Sequence, residues 1–92
     1  MGLRYSEQAV GVIATLAPAT KKALRKALDN LVKDPIGAPG LDVKLLRSLR
    51  GVPVYRLRLG DYRVAYRVLP GRVVYVQRVF HRRDGYGWME RT

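Results

Sequence analysis

The sequence predicts an α+β domain: a short N-terminal strand and a helical hairpin, then an antiparallel β-meander with the helices packed on one face. Two patterns predict this arrangement. Up to Lys33, apolar residues recur three and four positions apart, as they do along one face of a helix. From Val43 onward the pattern becomes strand-like, and apolar residues come to alternate with polar ones. The 92 residues fit a single domain over positions 1–92.

The N-terminal half begins with a short segment, 2–5, that we interpret as an edge strand. Ser6 follows it and is a good N-cap, since a serine hydroxyl accepts a hydrogen bond from a backbone N–H of the first helical turn. The apolar spacing predicts one helix over 7–16 and a clearer one over 19–33. The pair Asp34-Pro35 ends the second helix, because proline disfavours the helical conformation in the residue before it.

The C-terminal half is predicted to form the meander. Residues 54–59 and 62–68 alternate strictly, and Gly60-Asp61 between them fits a two-residue hairpin turn with glycine in the first central position. Pro70-Gly71 is interpreted as a second two-residue turn, which leads into a strand over 73–80 that is rich in valine and tyrosine.

Positive charge dominates the composition. Eighteen Lys and Arg residues stand against seven Asp and Glu residues, for a net charge of +11. Residues 47–92 carry eleven basic side chains, and all of them are arginine. The guanidinium group is a planar fork that binds phosphate through two hydrogen bonds and stays charged at any relevant pH. This charge favours a polyanion as partner: nucleic acid, an anionic membrane or an acidic protein. The alternative is a solvated basic surface, for which lysine is the more usual residue.

Several classes of protein are disfavoured by the sequence. The absence of cysteine excludes disulfides and thiolate metal sites, and it suits a reducing cytoplasm. No apolar run approaches the ~20 residues that a membrane-spanning helix needs, and the N-terminus lacks the layout of a signal peptide. We therefore expect a cytoplasmic protein that is not associated with a membrane.

The turn at Gly60-Asp61 sets the pairing of the flanking strands. Arg58 is then directly opposite Arg63, whereas the apolar and aromatic pairs lie on the other face, toward the helices. Like charges across an antiparallel pair are destabilising, so a bound anion would offset the repulsion. With a two-residue second turn, Arg63 is also opposite Arg78. We call the predicted phosphate-binding surface the arginine face; its members are Arg56, Arg58, Arg63, Arg67 and Arg78.

The segment after the last predicted strand holds the chain's one histidine, His81, beside Arg82 and Arg83. Histidine is the side chain best suited to transfer a proton near neutral pH. A single histidine is, however, more often a surface or capping residue. Tyr86 and Trp88 could stack on bases, or they could anchor the chain end onto the core.

Several of these segments resemble the RelE/ParE superfamily of type II toxins. They are Leu49-Arg50-Gly51, residues 55–58, the Gly-Asp-Tyr-Arg run at 60–66, and the His-Arg-Arg-Asp run at 79–86. The helical hairpin that ends in Asp34-Pro35 fits as well, so that the resemblance covers nearly the whole chain. It implies the RelE-like microbial ribonuclease fold.

RelE-like members of this superfamily are endoribonucleases that enter the ribosomal A site and cleave mRNA there. The ribose 2′-hydroxyl attacks the adjacent phosphate, and no metal or cofactor is required. The resemblance, together with the arginine pattern, assigns catalysis to Arg58, Arg63, Arg82, His81 and Tyr86. It assigns RNA binding to Arg56, Arg67, Arg78 and Arg83.

The resemblance also implies partners. A cognate antitoxin, acidic in its toxin-binding segment, would hold the toxin inactive, and the ribosome and mRNA would be its targets. Operator DNA would be bound only by the toxin–antitoxin complex. Two other functions remain possible. A ParE-like protein would poison DNA gyrase without nuclease activity, and a degenerate member of the fold would be a non-toxic binding module.

Overall fold

The computed structural model describes residues 2–37, 40–49 and 52–85, and it confirms the predicted fold class. The sheet has five strands in the order β1-β5-β4-β3-β2; β1 pairs with β5 in parallel, and all other neighbours are antiparallel. Within the described ranges, neither helix is long and apolar enough to cross a membrane. The elements in chain order are β1 (Gly2–Tyr5), α1 (Glu7–Thr15), α2 (Pro18–Lys33), β2 (Asp42–Leu49), β3 (Val52–Leu59), β4 (Tyr62–Leu69), β5 (Val73–His81) and a single 3-10 turn, Arg82–Asp84.

The first helix is tied to the sheet by polar side chains at its start. Ser6 is its N-cap, as predicted: its hydroxyl accepts a hydrogen bond from the Ala9 amide at 3.1 Å and donates one to the Gln77 carbonyl at 2.6 Å. The amide of Gln8 donates to the Val79 carbonyl at 2.8 Å and accepts from the Val79 N–H at 3.0 Å. Gln8 therefore continues the pairing of β5 beyond the point where β1 ends.

The second helix supplies most of the helical side of the core. It begins at Pro18, one residue before the predicted start, since proline is well suited to the first turn, where its missing N–H has no partner to lose. Its buried stripe packs against the apolar face of the sheet, as expected from the alternation in β3 and β4. The buried residues of α2 are Leu24, Ala27, Leu28 and Leu31, and those of the strands include Leu57, Val64, Tyr66, Val74, Val76 and Val79.

Tyr66 connects the loop after α2 to the sheet. Its ring is fully buried and stacks on Tyr55 with ring centroids 5.6 Å apart, and its hydroxyl donates to the Pro35 carbonyl at 2.5 Å. Burial raises the pKa of the Tyr66 hydroxyl, and the nearby Tyr55 and Asp34 raise it further. The phenol therefore remains a hydrogen-bond donor over the whole physiological pH range.

The predicted pairing of the second hairpin is wrong. Leu69 pairs with Val73, so the loop has three residues instead of two, and Arg72 within it adopts a left-handed φ of 59°. A β-bulge opposite Ala65 and Tyr66 then shifts the register by one further residue. A shift of one residue exchanges the faces of a strand, and a second shift restores them. The structure thus exchanges the faces of residues 73–76, which puts Tyr75 on the arginine side of the sheet, and it keeps the predicted face only for residues 78–80, with changed partners.

Candidate anion-binding site

The arginine face lies on the side of the sheet away from the helices. Arg58 is directly opposite Arg63, as predicted from the first turn. Arg78 is not opposite Arg63, whose partner on β5 is Phe80; it pairs with Ala65, which in turn pairs with Arg56 on β3. Arg56 and Arg78 therefore flank one alanine, next to the row that holds Arg58 and Arg63.

A small apolar cluster forms the floor of this face, and the sequence analysis did not anticipate it. Val54, Ala65 and Phe80 are buried here, with Leu46 packed against them, separately from the core beneath the helices. The strict alternation predicted that Val54 and Ala65 share the arginine face, but not that they are buried. An apolar floor lets the aliphatic parts of arginine side chains pack while the guanidinium groups stay at the surface.

Arg56 is largely buried and forms an ion pair. Its side chain is 12% exposed, and its Nη2 lies 3.2 Å from Oδ1 of Asp42, which is 56% exposed. Asp42 is opposite Arg58 in the β2–β3 register, so this ion pair is diagonal. A partly buried guanidinium is less screened by water than one in solution and attracts an anion more strongly.

The turn between β3 and β4 makes contacts with both Arg63 and Arg82. Nη1 of Arg63 donates to the carbonyls of Gly60 and Tyr62, at 2.8 and 2.9 Å. Nε of Arg82 lies 3.4 Å from Oδ1 of Asp61, and the Arg82 backbone N–H donates to the Asp61 carbonyl at 2.7 Å. The ion pair is exposed and contributes little stability. Together, however, these contacts hold both side chains next to the β3–β4 turn.

The structure does not place His81 on the arginine face. His81 pairs with Tyr62, which packs on the helix-side core, and its ring meets that of Tyr62 edge-on at 5.3 Å. Its Nδ1 accepts a hydrogen bond from the Arg83 backbone N–H at 3.3 Å, so that in the neutral ring the proton is on Nε2. Arg83 is exposed in the 3-10 turn. The predicted Tyr86 lies outside the described residues.

At the β1 end of the face, two arginines flank a tyrosine. Arg67 pairs with Tyr75, and Tyr75 pairs with Arg4 of β1. The guanidinium carbon of Arg67 is 5.2 Å from the centroid of the Tyr75 ring. The sequence analysis missed Arg4 and Tyr75, because only the parallel pairing of β1 with β5 brings them together.

The chemistry of the site follows from its donors. It presents cationic, planar hydrogen-bond donors above an apolar floor, an arrangement that binds phosphate well. In residues 2–37, 40–49 and 52–85, no three His, Asp or Glu side chains come together as metal ligands would.

Comparisons with known proteins agree with this fold. Residues 3–86 match the family model described as the ParE toxin of the type II toxin–antitoxin system, parDE. A curated protein named RelE1, from Methanocaldococcus jannaschii, is 31% identical over 72 residues, which are 77% of this chain and 78% of that protein. The fold is similar to the RelE–RelB complex of Pyrococcus horikoshii OT3, with a TM-score of 0.76, 28% identity, and coverage of 87% of this chain and 92% of that one. It is also similar to the intact Escherichia coli RelBE complex, with a TM-score of 0.65, 26% identity, and coverage of 86% and 93%.

Proposed function

Because this chain belongs to the RelE/ParE superfamily of type II toxins, we propose that it is a RelE-like endoribonuclease that cleaves mRNA on the ribosome and so inhibits translation. One observation carries the proposal. Arg58 is directly opposite Arg63, and Arg82 is held at the same turn. We propose that these three guanidinium groups converge at this end of the arginine face and contact a single phosphate.

The reaction we propose is a phosphoryl transfer within the RNA strand. The 2′-oxygen loses its proton and bonds to the adjacent phosphorus, and the bond from phosphorus to the 5′-oxygen breaks as that oxygen gains a proton. The products are a 2′,3′-cyclic phosphate and a 5′-hydroxyl. Negative charge builds on the phosphoryl oxygens in the transition state, and fixed cationic donors stabilise that state more than the ground state.

Each site residue has a proposed role in this reaction. Arg58, Arg63 and Arg82 contact the reacting phosphate, and Arg56 binds a neighbouring one. Arg67, Arg78 and Arg83 bind the rest of the RNA strand. Arginine is permanently charged and therefore a poor general base, so Tyr86, or His81 acting from the end of β5 beside Arg82, transfers the protons. No metal or cofactor takes part, and cleavage is expected to persist in excess EDTA.

Toeprinting of purified protein with ribosomes and mRNA tests the proposal. The wild-type protein is expected to cleave mRNA in the A site, and Arg63→Ala to slow cleavage by roughly 100-fold or more, as loss of one transition-state donor does. Arg25→Ala is the matched control, because Arg25 is exposed on α2, on the helix side of the sheet. His81→Gln and Tyr86→Phe identify the proton-transfer group. Equal cleavage by wild type, Arg63→Ala and Tyr86→Phe would contradict the site.

A cognate antitoxin is the proposed protein partner. The similar solved structures from Pyrococcus horikoshii and Escherichia coli are complexes of RelE with RelB. We expect the antitoxin of this protein to cover the arginine face with an acidic segment and to supply the contacts to operator DNA. The toxin alone should not bind the operator specifically, and the pair should function in the cytoplasm.

The ParE-like function is the second candidate, since the matching family model is itself described as a ParE toxin. A ParE-like protein would poison DNA gyrase and would have no nuclease activity. Induction in cells without antitoxin separates the two: cleaved mRNA supports the RelE-like function, and double-strand DNA breaks with intact mRNA support the ParE-like one.

A further inference from the structure

Tyr75 lies between two arginines on neighbouring strands, well away from the turn that holds Arg63 and Arg82. It pairs with Arg67 of β4 on one side and with Arg4 of β1 on the other. The Arg67 guanidinium lies over the Tyr75 ring at 5.2 Å, where the ring's electrons attract it. One cation of this pair is therefore fixed in place before any ligand binds.

Arg67 also has a polar group without a partner. Its Nε is buried, and no residue in the described part of the chain accepts a hydrogen bond from it. Nor does any carboxylate in that part form an ion pair with Arg67 or Arg4. Buried N–H groups are nearly always hydrogen-bonded, so the described residues leave the Arg67 guanidinium incompletely satisfied, and its outer Nη groups are the donors that would bind an acceptor from outside the chain. A phosphate group supplies two or three such oxygens and the matching charge.

The position of Arg67 and Tyr75 is too far along the sheet to contact the phosphate that is cleaved. Arg63 and Arg67 are four residues apart on β4, which corresponds to about 13 Å of strand. Between them lies the row that holds Arg56, Ala65 and Arg78. The face thus offers three rows about 7 Å apart, a spacing that one nucleotide of an extended strand can bridge.

From this arrangement we infer that Arg67 and Arg4 form a second phosphate-binding position, about two nucleotides away from the phosphate that is cleaved. Tyr75 acts as a positioning residue by holding the Arg67 guanidinium. The inference rests on the proposed function for the identity of the ligand, a single RNA strand. It adds a direction to that function, since the strand runs from the β3–β4 turn across β4 and β5 toward the N-terminal strand.

The test compares RNA lengths. Oligoadenylates of two and five nucleotides, with a 2′-O-methyl group on every ribose, cannot undergo cleavage, and their affinity is measured by fluorescence anisotropy on the whole protein. Only the longer RNA reaches both positions. Arg67→Gln is expected to reduce the gain in affinity from two to five nucleotides by roughly fivefold to tenfold. It should also make the salt dependence of pentamer binding shallower by about 0.7 in logarithmic slope, the value for one phosphate contact on a single strand.

Three further variants sharpen the test. Arg25→Gln removes the same charge from the helix side and is expected to retain the full gain with length. Tyr75→Phe keeps the ring and should retain it too, whereas Tyr75→Leu should lose part of it. Arg4→Gln changes an exposed side chain, so a loss of the gain in this variant cannot be attributed to misfolding of the core.

Two results would overturn the inference. If Arg67→Gln and Arg25→Gln weaken pentamer binding equally, net charge alone explains the effect. If Arg67→Gln weakens binding of the dinucleotide and of the pentanucleotide equally, Arg67 contacts the phosphate that is cleaved and not a second one. The cleavage assay is read separately. If the wild-type protein cleaves mRNA but its gain in affinity with RNA length does not depend on Arg67, only the second phosphate position is refuted. If it does not cleave mRNA but that gain does depend on Arg67, only the nuclease proposal is refuted.

Discussion

Removing one member of the opposed arginine pair should stabilise the fold while it disables the proposed site. Arg58 is exposed and directly opposite Arg63, whose guanidinium is held at the turn by the carbonyls of Gly60 and Tyr62. Arg63 is held at the turn, and Asp42, which is opposite Arg58 on β2, pairs with Arg56 instead, so neither residue fully relieves the repulsion. We therefore expect Arg58→Gln to raise the free energy of unfolding.

The magnitude follows from the cross-strand geometry. Like charges directly opposite on an antiparallel pair cost about 0.2–1 kcal/mol, and two charges about 6 Å apart in water repel by about 0.7 kcal/mol. For a domain of 92 residues, about 0.5 kcal/mol corresponds to a rise in Tm of about 2–4 °C.

Thermal denaturation of the purified protein at low and high salt measures this effect. Arg83→Gln is the control, because it removes one exposed arginine in the 3-10 turn that has no arginine across from it on a strand. In 1 M salt, where the screening length is about 3 Å, most of the gain from Arg58→Gln should disappear. A gain no larger than that of Arg83→Gln, or one unchanged in 1 M salt, would refute the reasoning.

Three other predictions follow from contacts in the structure. Gln8→Ala removes both hydrogen bonds to the buried Val79 backbone; it should cost about 1–3 kcal/mol and speed hydrogen exchange of the Val79 amide, and unchanged exchange would argue against it. The folded state raises the pKa of Tyr66, so the unfolded state loses that proton first as pH rises. Stability from this group is complete below about pH 10, the ordinary tyrosine value, and falls above it; Tyr66→Phe should show a weaker alkaline loss in urea titrations, and an identical loss would contradict the assignment. Affinity of the wild-type toxin for RNA should fall steeply with added salt because counterions are released, and salt-independent binding would exclude an arginine–phosphate interface.

The first hairpin was predictable because two independent signals agree. Strict alternation on both sides of Gly60-Asp61 fixes the faces, and a glycine that accepts positive φ fits a two-residue turn; the observed φ of Gly60 is 57°. Once the turn is known, the opposition of Arg58 and Arg63 follows by counting. The helices were predictable for a similar reason, since a capping serine and a starting or stopping proline bound each apolar stripe.

The second hairpin was not predictable from the same reasoning. Its third loop residue, Arg72, adopts a left-handed conformation that only glycine and a few polar residues commonly favour, so the sequence gives no sign of a three-residue loop. The β-bulge opposite Ala65 and Tyr66 likewise has no characteristic residue in the sequence that would predict it. The row of Arg4, Tyr75 and Arg67 depends on pairing between the two ends of the chain, and local periodicity carries no information about that.

Burial explains why Arg56 and Arg67 are arginine instead of lysine. The Arg56 side chain is nearly covered, and the Arg67 guanidinium lies on the Tyr75 ring. An ammonium group is strongly hydrated and would lose more of its hydration at either position, whereas a guanidinium group is weakly hydrated and stacks on aromatic rings. Lysine in place of Arg67 would keep the charge but would lose the planar contact with the Tyr75 ring. The arginine face is therefore specified by the shape and hydration of the cation as well as by its charge, and charge-conserving substitutions there should not be neutral.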